Sequence, residues 1–218
     1  MGTSNLTETI ESHLQTSPVV PLIQADDPGV AVATARALVD GGLRVLEVVM
    51  RTSAALACMR AIAAEVPDAL MGAGTVLSAE HARSAAAAGA RFIVSPGLSE
   101  EVVRVAGDAG LPAFPGVATA TELQRAWNLD LRIVKFFPAS QAGGVPMIKA
   151  LASVFRDVRF MPTGGVSAGN LADYLAVPAV IACGGSWLTP KEAVAAGDYR
   201  AVTDLAAQAI AIAAKTRG

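Results

Sequence analysis

The 218-residue sequence has few charged residues and few cysteines, and both shortages narrow its possible functions. Charged side chains make up 17% of the chain, and 17 Lys and Arg against 19 Asp and Glu leave a formal net charge of −2. No nucleic-acid partner is expected, because binding along phosphates needs a basic surface that this composition does not supply. The two cysteines, Cys58 and Cys183, lie far apart, and the only histidines are His13 and His81. We therefore expect neither a metal site nor a disulfide scaffold.

Long apolar runs are also missing from the sequence. No uninterrupted stretch reaches the roughly 20 apolar residues that would span a bilayer, so we expect no membrane partner. Residues 1–17 carry no basic flank before an apolar run, and they place Leu6, Ile10 and Leu14 at helical spacing. This pattern predicts an amphipathic N-terminal helix rather than a targeting signal, and a cytoplasmic protein.

Core-forming residues are abundant by contrast. Apolar residues make up 53% of the chain, and the mean hydropathy is +0.47. The length favours one domain over residues 1–218. Eight short runs are predicted as strands: 19–23, 45–50, 70–72, 92–95, 112–115, 133–137, 160–162 and 180–183. A helical pattern follows each of them: 30–39, 54–64, 79–88, 101–109, 121–127, 145–155, 168–174 and 190–214.

This alternation of strands and helices predicts the architecture. It is typical of a parallel sheet covered on both faces, and eight units close naturally into a (β/α)8 TIM barrel, here with an added N-terminal helix. An open doubly wound sheet is the competing α/β fold. A glycine-rich fingerprint after the first strand would favour it, but that strand continues as Gln24–Ala25–Asp26. Glycine and proline gather after most strands, so we expect the active site at that end of the barrel.

Lys135 stands apart from the other lysines, because it lies within an apolar predicted strand. The other three lysines occupy helical or terminal positions open to water: Lys149, Lys191 and Lys215. Strand alternation places Lys135 on one face with Ile133 and Phe137, and an inward face would point the amine into the barrel mouth. Burial disfavours the ammonium, and only the free amine attacks a carbonyl, so the position suits a Schiff-base nucleophile. A structural ion pair, or a side chain that reaches water, is the alternative.

Glu47 is the second ionisable residue within a predicted strand. Its neighbours are apolar, and a buried carboxyl group is suited to transfer protons near neutral pH. Arg51, four residues later, shares its face and lies about 13 Å further along the strand, at the rim. We expect Arg51 to bind a substrate carboxylate through a bidentate pair, with neutralisation of Glu47 as the alternative.

Two glycine pairs follow the last two predicted strands. They are Gly164–Gly165 and Gly184–Gly185, and Ser186 comes directly after the second pair. In many barrels these two loops bind phosphate through backbone N–H groups, which glycine allows to approach a ligand closely. The pairs predict a small phosphorylated substrate. Ordinary turns are the alternative, because glycine is also a common turn residue.

With these residues identified, the sequence resembles the 2-keto-3-deoxy-6-phosphogluconate (KDPG) aldolases, class I aldolases of the Entner–Doudoroff pathway. The resemblance covers approximately residues 18–188. Its distinctive segments are 41–48 (GGLRVLEV) with Arg51–Thr52, 72–76 (GAGTV), 95–97 (SPG), 135–139 (KFFPA), 162–165 (PTGG) and 184–187 (GGSW). One departure is Ser140–Gln141, because the family often has Glu after the KFFPA segment.

The resemblance also implies roles for individual residues. Lys135 is implied as the Schiff-base lysine and Glu47 as the general acid and base. Arg51 and Thr75 are implied as ligands of the pyruvyl carboxylate. The substrate pocket is implied to include Pro96, Phe137 and Thr163. The phosphate is implied to bind at Gly164, Gly165, Gly185 and Ser186.

The implied enzyme is a homotrimer without a metal or organic cofactor. It cleaves KDPG to pyruvate and glyceraldehyde 3-phosphate, and it also cleaves 4-hydroxy-2-oxoglutarate (KHG) to pyruvate and glyoxylate. Two alternatives stay open from the sequence. One is an aldolase of the same family specific for the 6-phosphogalactonate epimer. The other is a sugar-phosphate isomerase or binding barrel, in which Lys135 and Glu47 form a structural pair and no covalent step occurs.

Overall fold

Residues 3–217, which the computed structural model describes, form nine strands and ten helices. The strands are β1 (Val19–Ile23), β2 (Val45–Val49), β3 (Leu70–Gly74), β4 (Ile93–Val94), β5 (Ala113–Phe114), β6 (Gly116–Val117), β7 (Ile133–Phe136), β8 (Arg159–Pro162) and β9 (Cys183–Gly185). The helices are α1 (Thr3–Thr16), α2 (Pro28–Asp40), α3 (Ala55–Glu65), α4 (Ala79–Ala87), α5 (Glu100–Asp108), α6 (Ala120–Asn128), α7 (Gly144–Val154), α8 (Leu171–Leu175), α9 (Lys191–Ala195) and α10 (Tyr199–Arg217).

The strands form a curled, wholly parallel sheet, which confirms the predicted (β/α)8-type barrel. Six strands pair in the order β5-β4-β3-β2-β1-β9, and three pair in the order β6-β7-β8. Pro115 connects the two groups along the chain, because β5 before it pairs with β4 and β6 after it pairs with β7. On the other side, isolated bridges join Phe160 to Val180 and Thr163 to Gly184. These bridges complete the ring between β8 and β9.

The N-terminal end of the barrel has an apolar floor. Ile10 and Leu14 of α1 are fully buried there, as the helical spacing of the sequence predicted for residues 3–16. They pack against inward-facing side chains from several strands, among them Val45, Phe114 and Ile133. Residues 1 and 2 of the predicted helix lie outside the described residues.

Helix starts surround the opposite end of the barrel, where the strands end. Four of these helices begin with a side chain that accepts a hydrogen bond from a backbone N–H of the first turn: Asp27, Ser78, Ser99 and Thr119. Such caps stabilise each helix by about 0.5–2 kcal/mol and hold the loops in place at the barrel mouth.

Several predicted elements differ from the structure. The predicted strand 112–115 is shortened to β5, and β6 follows outside the predicted range, after Pro115. The predicted strand 180–183 is displaced to Cys183–Gly185, and Arg217 donates hydrogen bonds to the carbonyl oxygens of Val180 and Ile181. The predicted helix 190–214 is divided into α9 and α10 at Gly197, whose φ of +69° is readily adopted only by glycine. None of the helices within residues 3–217 combines the length and apolar character needed to cross a membrane.

Candidate active site

Strands β2 and β7 bring Glu47 and Lys135 together inside the barrel mouth. Ile133 packs into the inner apolar cluster, so Lys135, two residues later on β7, also faces inward. The Lys135 Nζ lies 3.6 Å from the Glu47 Oε1. Lys135 is only 4% exposed and Glu47 only 3%. The barrel therefore holds one cation and one anion as a buried pair.

The carboxylate of Glu47 has room and an unused acceptor. Its Oε1 is buried and has no hydrogen-bond partner among the described residues. Gly74 provides the space, because a Cβ at this position would overlap the Glu47 carboxylate. A buried acceptor that receives no hydrogen bond is costly in a purely structural role. The arrangement is suited to receive a proton from a bound molecule.

The three residues implied for the substrate pocket lie close to β7, the strand of Lys135. The Lys135 Nζ lies 5.1 Å from the centroid of the Phe137 ring, within the range of a cation–π contact. Thr163 is buried at the end of β8, where its hydroxyl donates to the carbonyl oxygen of Met161 at 3.4 Å. Pro96 is half-buried, and its carbonyl lies against Gly116, the residue in register with Lys135. Phe137 thus contacts the lysine directly, whereas Pro96 and Thr163 lie beside the strands that flank β7.

Arg51 and Thr75 lie together at the rim. The Arg51 Nε donates a hydrogen bond of 3.2 Å to the Thr75 hydroxyl, and the Arg51 side chain is exposed. Within residues 3–217 Arg51 forms no ion pair, whereas the Glu47 carboxylate pairs with Lys135, which favours the role of Arg51 as a carboxylate ligand over neutralisation of Glu47. Thr75 has a φ of +58°, which is unfavourable for a β-branched residue. Such strained backbone is often found at functional sites.

The loop after β8 has the backbone geometry of an anion site. Gly164 and Gly165 have φ values of +98° and +78°. The carbonyl oxygens of Thr163 and Gly164 accept hydrogen bonds from the backbone N–H groups of Ala139 and Ser140. In a trans peptide the N–H points opposite to the carbonyl of the same peptide. The N–H groups of Gly164 and Gly165 therefore point away from Ala139 and Ser140. They are oriented for an external acceptor.

The loop after β9 combines an exposed residue, Ser186, with a buried one, Gly185. Ser186 is exposed at its tip, where its hydroxyl is open to a ligand. Gly185 is buried beneath the Trp187 ring, which a Cβ at this position would overlap. The structure therefore gives Gly185 a packing reason of its own. Similarly, a Cβ at Gly165 would meet the Ser140 side chain, so the Ser140 that departs from the family pattern packs on the glycine loop.

Sequence reasoning did not include the carboxyl end of β1 in the site. Leu22 is in register with Glu47, and β1 ends one residue later, at Ile23. Gln24 and Ala25 come directly after the strand. These residues line a cleft of about 580 Å³ that also contacts Arg51 and Ser186. The sequence pattern could have identified this strand end in part, because strand alternation from Val20 places Leu22 on the inward face.

Neither cysteine belongs to the candidate site. Cys58 and Cys183 are both free and buried, and burial raises the pKa of both thiols. A thiol that resists ionisation is a poor nucleophile and a poor metal ligand. In the described part of the chain, no three His, Cys, Asp or Glu side chains converge as a possible metal site.

Comparisons with known proteins agree with this geometry. A family model described as KDPG and KHG aldolase matches residues 10–205. The KHG/KDPG aldolase of Escherichia coli (strain K12) is 47% identical over 206 residues, which cover 94% of this chain and 97% of that protein.

Two solved structures are similar along nearly the full length of the chain. One is a KDPG aldolase from Legionella pneumophila with pyruvate captured at low pH as a covalent carbinolamine intermediate. It has a TM-score of 0.87 and 39% identity, and the match covers 90% of this chain and 96% of that one. The other is the KDPG aldolase of Zymomonas mobilis ZM4 with 3-phosphoglycerate, with a TM-score of 0.86 and 42% identity over 93% and 95% of the two chains.

Proposed function

The chain belongs to the KDPG and KHG aldolase family, and we propose that it works through a Schiff base on Lys135, with Glu47 as general acid and base. It is a class I aldolase, an aldehyde-lyase that cleaves KDPG to pyruvate and glyceraldehyde 3-phosphate. The observation that carries the assignment of residues is the buried Lys135–Glu47 pair, 3.6 Å apart at the barrel mouth. A buried amine next to a proton acceptor is suited to imine formation.

The first half of the proposed reaction forms the imine. Glu47 accepts the ammonium proton of Lys135, and the resulting amine adds to the C2 ketone of the substrate. Glu47 then returns the proton to the hydroxyl of the carbinolamine, which leaves as water and gives the protonated imine. The distance between Nζ and Oε1 lets one carboxyl group serve both transfers after a small side-chain movement.

The second half breaks the bond between C3 and C4. Glu47, directly or through a water molecule, takes the proton of the C4 hydroxyl, and the electrons of the C3–C4 bond move to the iminium to give an enamine. Glyceraldehyde 3-phosphate leaves, and Glu47 returns its proton to C3. Water then hydrolyses the pyruvyl imine and frees the amine of Lys135.

The two ends of the substrate bind at different loops of the mouth in this proposal. Arg51 and Thr75 hold the pyruvyl carboxylate, which is supported by their mutual hydrogen bond and by the free guanidinium at the rim. The phosphate binds the N–H groups of Gly164 and Gly165, together with Ser186 and the backbone of Gly185. The orientation of the Gly164 and Gly165 peptides supports this placement.

The proposal extends to a second substrate and to the assembly. We expect cleavage of KHG as well, because the Escherichia coli relative is named for both activities. The phosphorylated keto acid is then the main small-molecule partner, in a step of the Entner–Doudoroff pathway in the cytoplasm. A homotrimer follows from the family resemblance, and three chains of 22.1 kDa would set its mass in solution.

Trapping of the imine tests the central assignment. Incubation with pyruvate and borohydride should add one pyruvyl adduct per chain, and peptide mass spectrometry should locate it on Lys135. Lys149→Ala is the matched control, because Lys149 is exposed on α7, and this variant should still form the adduct. Lys135→Ala should form none and should not cleave KDPG. An adduct spread over Lys149, Lys191 and Lys215 would contradict the proposal.

A further inference from the structure

The carboxyl end of β1 lies between the two proposed anion sites. β1 pairs with β9 on one side and with β2 on the other. Arg51 follows β2, and Ser186 follows β9 directly. A substrate whose carboxylate contacts Arg51 and whose phosphate contacts Ser186 therefore has its two ends on either side of β1. Because C2 bonds to Lys135 on β7, only the part of the substrate between C4 and the phosphate can pass beside the end of this strand.

A cleft is open beside the end of β1, and it adjoins the barrel mouth without including Lys135 or Glu47. The cleft of about 580 Å³ has Arg51 and Ser186 on its wall, and the end of β1 contributes Leu22, Gln24 and Ala25. This volume falls within the range of small-molecule sites. Gln24 and Asp26 are the polar residues of the wall that come from the β1 loop.

The backbone around Gln24 is held from both neighbouring loops. The Thr189 hydroxyl donates a hydrogen bond of 2.7 Å to the carbonyl oxygen of Leu22. The Thr52 hydroxyl donates one of 2.9 Å to the carbonyl oxygen of Ala25. Gln24 thus sits on a fixed support, as groups that select a ligand require. Its own amide is exposed and has no hydrogen-bond partner among residues 3–217.

The chemistry of the amide indicates its partner. An amide offers donors and an acceptor without charge, which matches a hydroxyl group placed between a carboxylate and a phosphate. Asp26 is less suited, because its carboxylate would repel both anionic ends of the substrate. In KDPG the C4 hydroxyl gives its proton to Glu47, and the C5 hydroxyl is the remaining polar group between C4 and the phosphate.

We propose that Gln24 determines specificity by hydrogen bonding to the C5 hydroxyl of the substrate. The inference rests on the function proposed above, because it takes the two anion sites from it. Gln24 takes no part in the transfer of protons or in the covalent step. It favours substrates whose three-carbon aldehyde part carries a hydroxyl beside the phosphate.

The reverse reaction gives a direct test, because the aldehyde can be changed at one atom. Pyruvate is condensed with glyceraldehyde 3-phosphate or with 3-oxopropyl phosphate, which lacks only the hydroxyl that becomes the C5 hydroxyl. In Gln24→Leu we expect kcat/KM for glyceraldehyde 3-phosphate to fall about 3- to 10-fold, and that for 3-oxopropyl phosphate to change less than about 2-fold. The variant thereby loses most of the preference for the hydroxylated aldehyde.

Gln208→Leu is the matched control, because Gln208 is exposed on α10 away from the cleft, and this variant should keep the wild-type preference. Equal losses with both aldehydes in Gln24→Leu, or no loss with either, would overturn the inference. The proposed function itself fails in a different way. A wild-type protein that condenses pyruvate with neither aldehyde would overturn that function, and the role of Gln24 with it.

Discussion

The two ends of the barrel use the same strands for opposite purposes. On β2, Val45 belongs to the apolar floor, and Glu47 is one inward position higher. On β7, Ile133 and Lys135 have the same relation. All four side chains are buried, with at most 6% exposure. One step of strand alternation therefore separates a layer that stabilises the protein from a layer that can react.

The comparison shows what makes buried charge tolerable. Burial of an isolated ammonium or carboxylate is costly, whereas a pair of opposite charges offsets much of the cost. Lys135 and Glu47 each have the other as partner, while the floor beneath them contains only apolar side chains. The upper layer is thus positioned by the lower one. Variants at the top should change activity more than stability, and variants at the floor should do the reverse.

The largest effect is expected from Glu47→Gln, which keeps the size of the side chain but cannot accept the proton. We expect kcat/KM for KDPG to fall about 10²- to 10⁴-fold. Exchange of the pyruvate methyl protons with deuterated water, followed by NMR, should fall by a similar factor. Formation of the borohydride-trapped adduct should decrease much less, because water can assist imine formation. Glu101→Gln, on the exposed surface of α5, is the control. Equal losses in exchange and in adduct formation would make Glu47 a structural residue.

The next largest effect is expected at the floor, from Leu14→Ala. This variant should lower stability rather than activity. The side chain is fully buried between α1 and the barrel. Its truncation should cost about 2–5 kcal/mol, and a thermal melt should show a Tm lower by about 4–20 °C. The remaining folded protein should keep its kcat. Leu77→Ala is the control, because Leu77 is 60% exposed at the other end of the barrel. A loss of kcat without a loss of Tm would contradict the division between the two ends.

Sequence patterns were sufficient for the parts of both ends that depend on local periodicity. Alternation along a strand predicted the inward direction of Lys135, and helical spacing predicted the burial of Ile10 and Leu14. The predicted position of the last strand, 180–183, was wrong because the position of β9 depends on partners that are distant in the sequence. Arg217 holds the carbonyl oxygens of Val180 and Ile181, and no local pattern reveals such a contact.

The site shows the same limit. The glycine pairs identified the loops after β8 and β9, but the packing of Trp187 on Gly185 is visible only in three dimensions. Gln24 was missed for a related reason. It is an exposed polar residue after a strand, and only the arrangement of β9, β1 and β2 places it between Arg51 and Ser186.

A smaller effect is expected at the rim of the active end, from Ser186→Asp. A carboxylate at this position should repel the phosphate and raise KM for KDPG at least about tenfold. KHG has no phosphate, so its KM should change by less than about threefold and serves as the internal control. Steady-state assays with both substrates measure the contrast. Parallel losses on both substrates would indicate a packing defect of the β9 loop and would contradict the phosphate assignment.

The smallest effect is expected from Glu122, which lies near the mouth but does not face it. Its carboxylate accepts hydrogen bonds from the backbone N–H groups of Ala118 and Thr119 and from the Thr119 hydroxyl, in a capping box at the start of α6. These hydrogen bonds, above all that from Ala118, hold the pKa of Glu122 below its ordinary value. A lowered pKa in the folded state means that the charged form stabilises the fold above about pH 4.5. The contribution is lost as the pH falls below that value and through the lowered pKa.

Glu122→Ala should therefore lose about 0.5–2 kcal/mol of stability at pH 7, as typical caps do, while kcat/KM for KDPG stays unchanged. Thermal melts of wild type and variant at pH 7 and at pH 3 measure the effect, and the difference in Tm should shrink at pH 3 because the wild-type carboxylate becomes protonated. Glu122→Gln is the matched control, because a neutral amide keeps an acceptor at the same position and does not titrate. If Glu122→Ala lowers kcat/KM for KDPG while Tm stays unchanged, the prediction is contradicted. Proximity to the mouth, and not an inward direction, would then decide which residues at this end take part in the reaction.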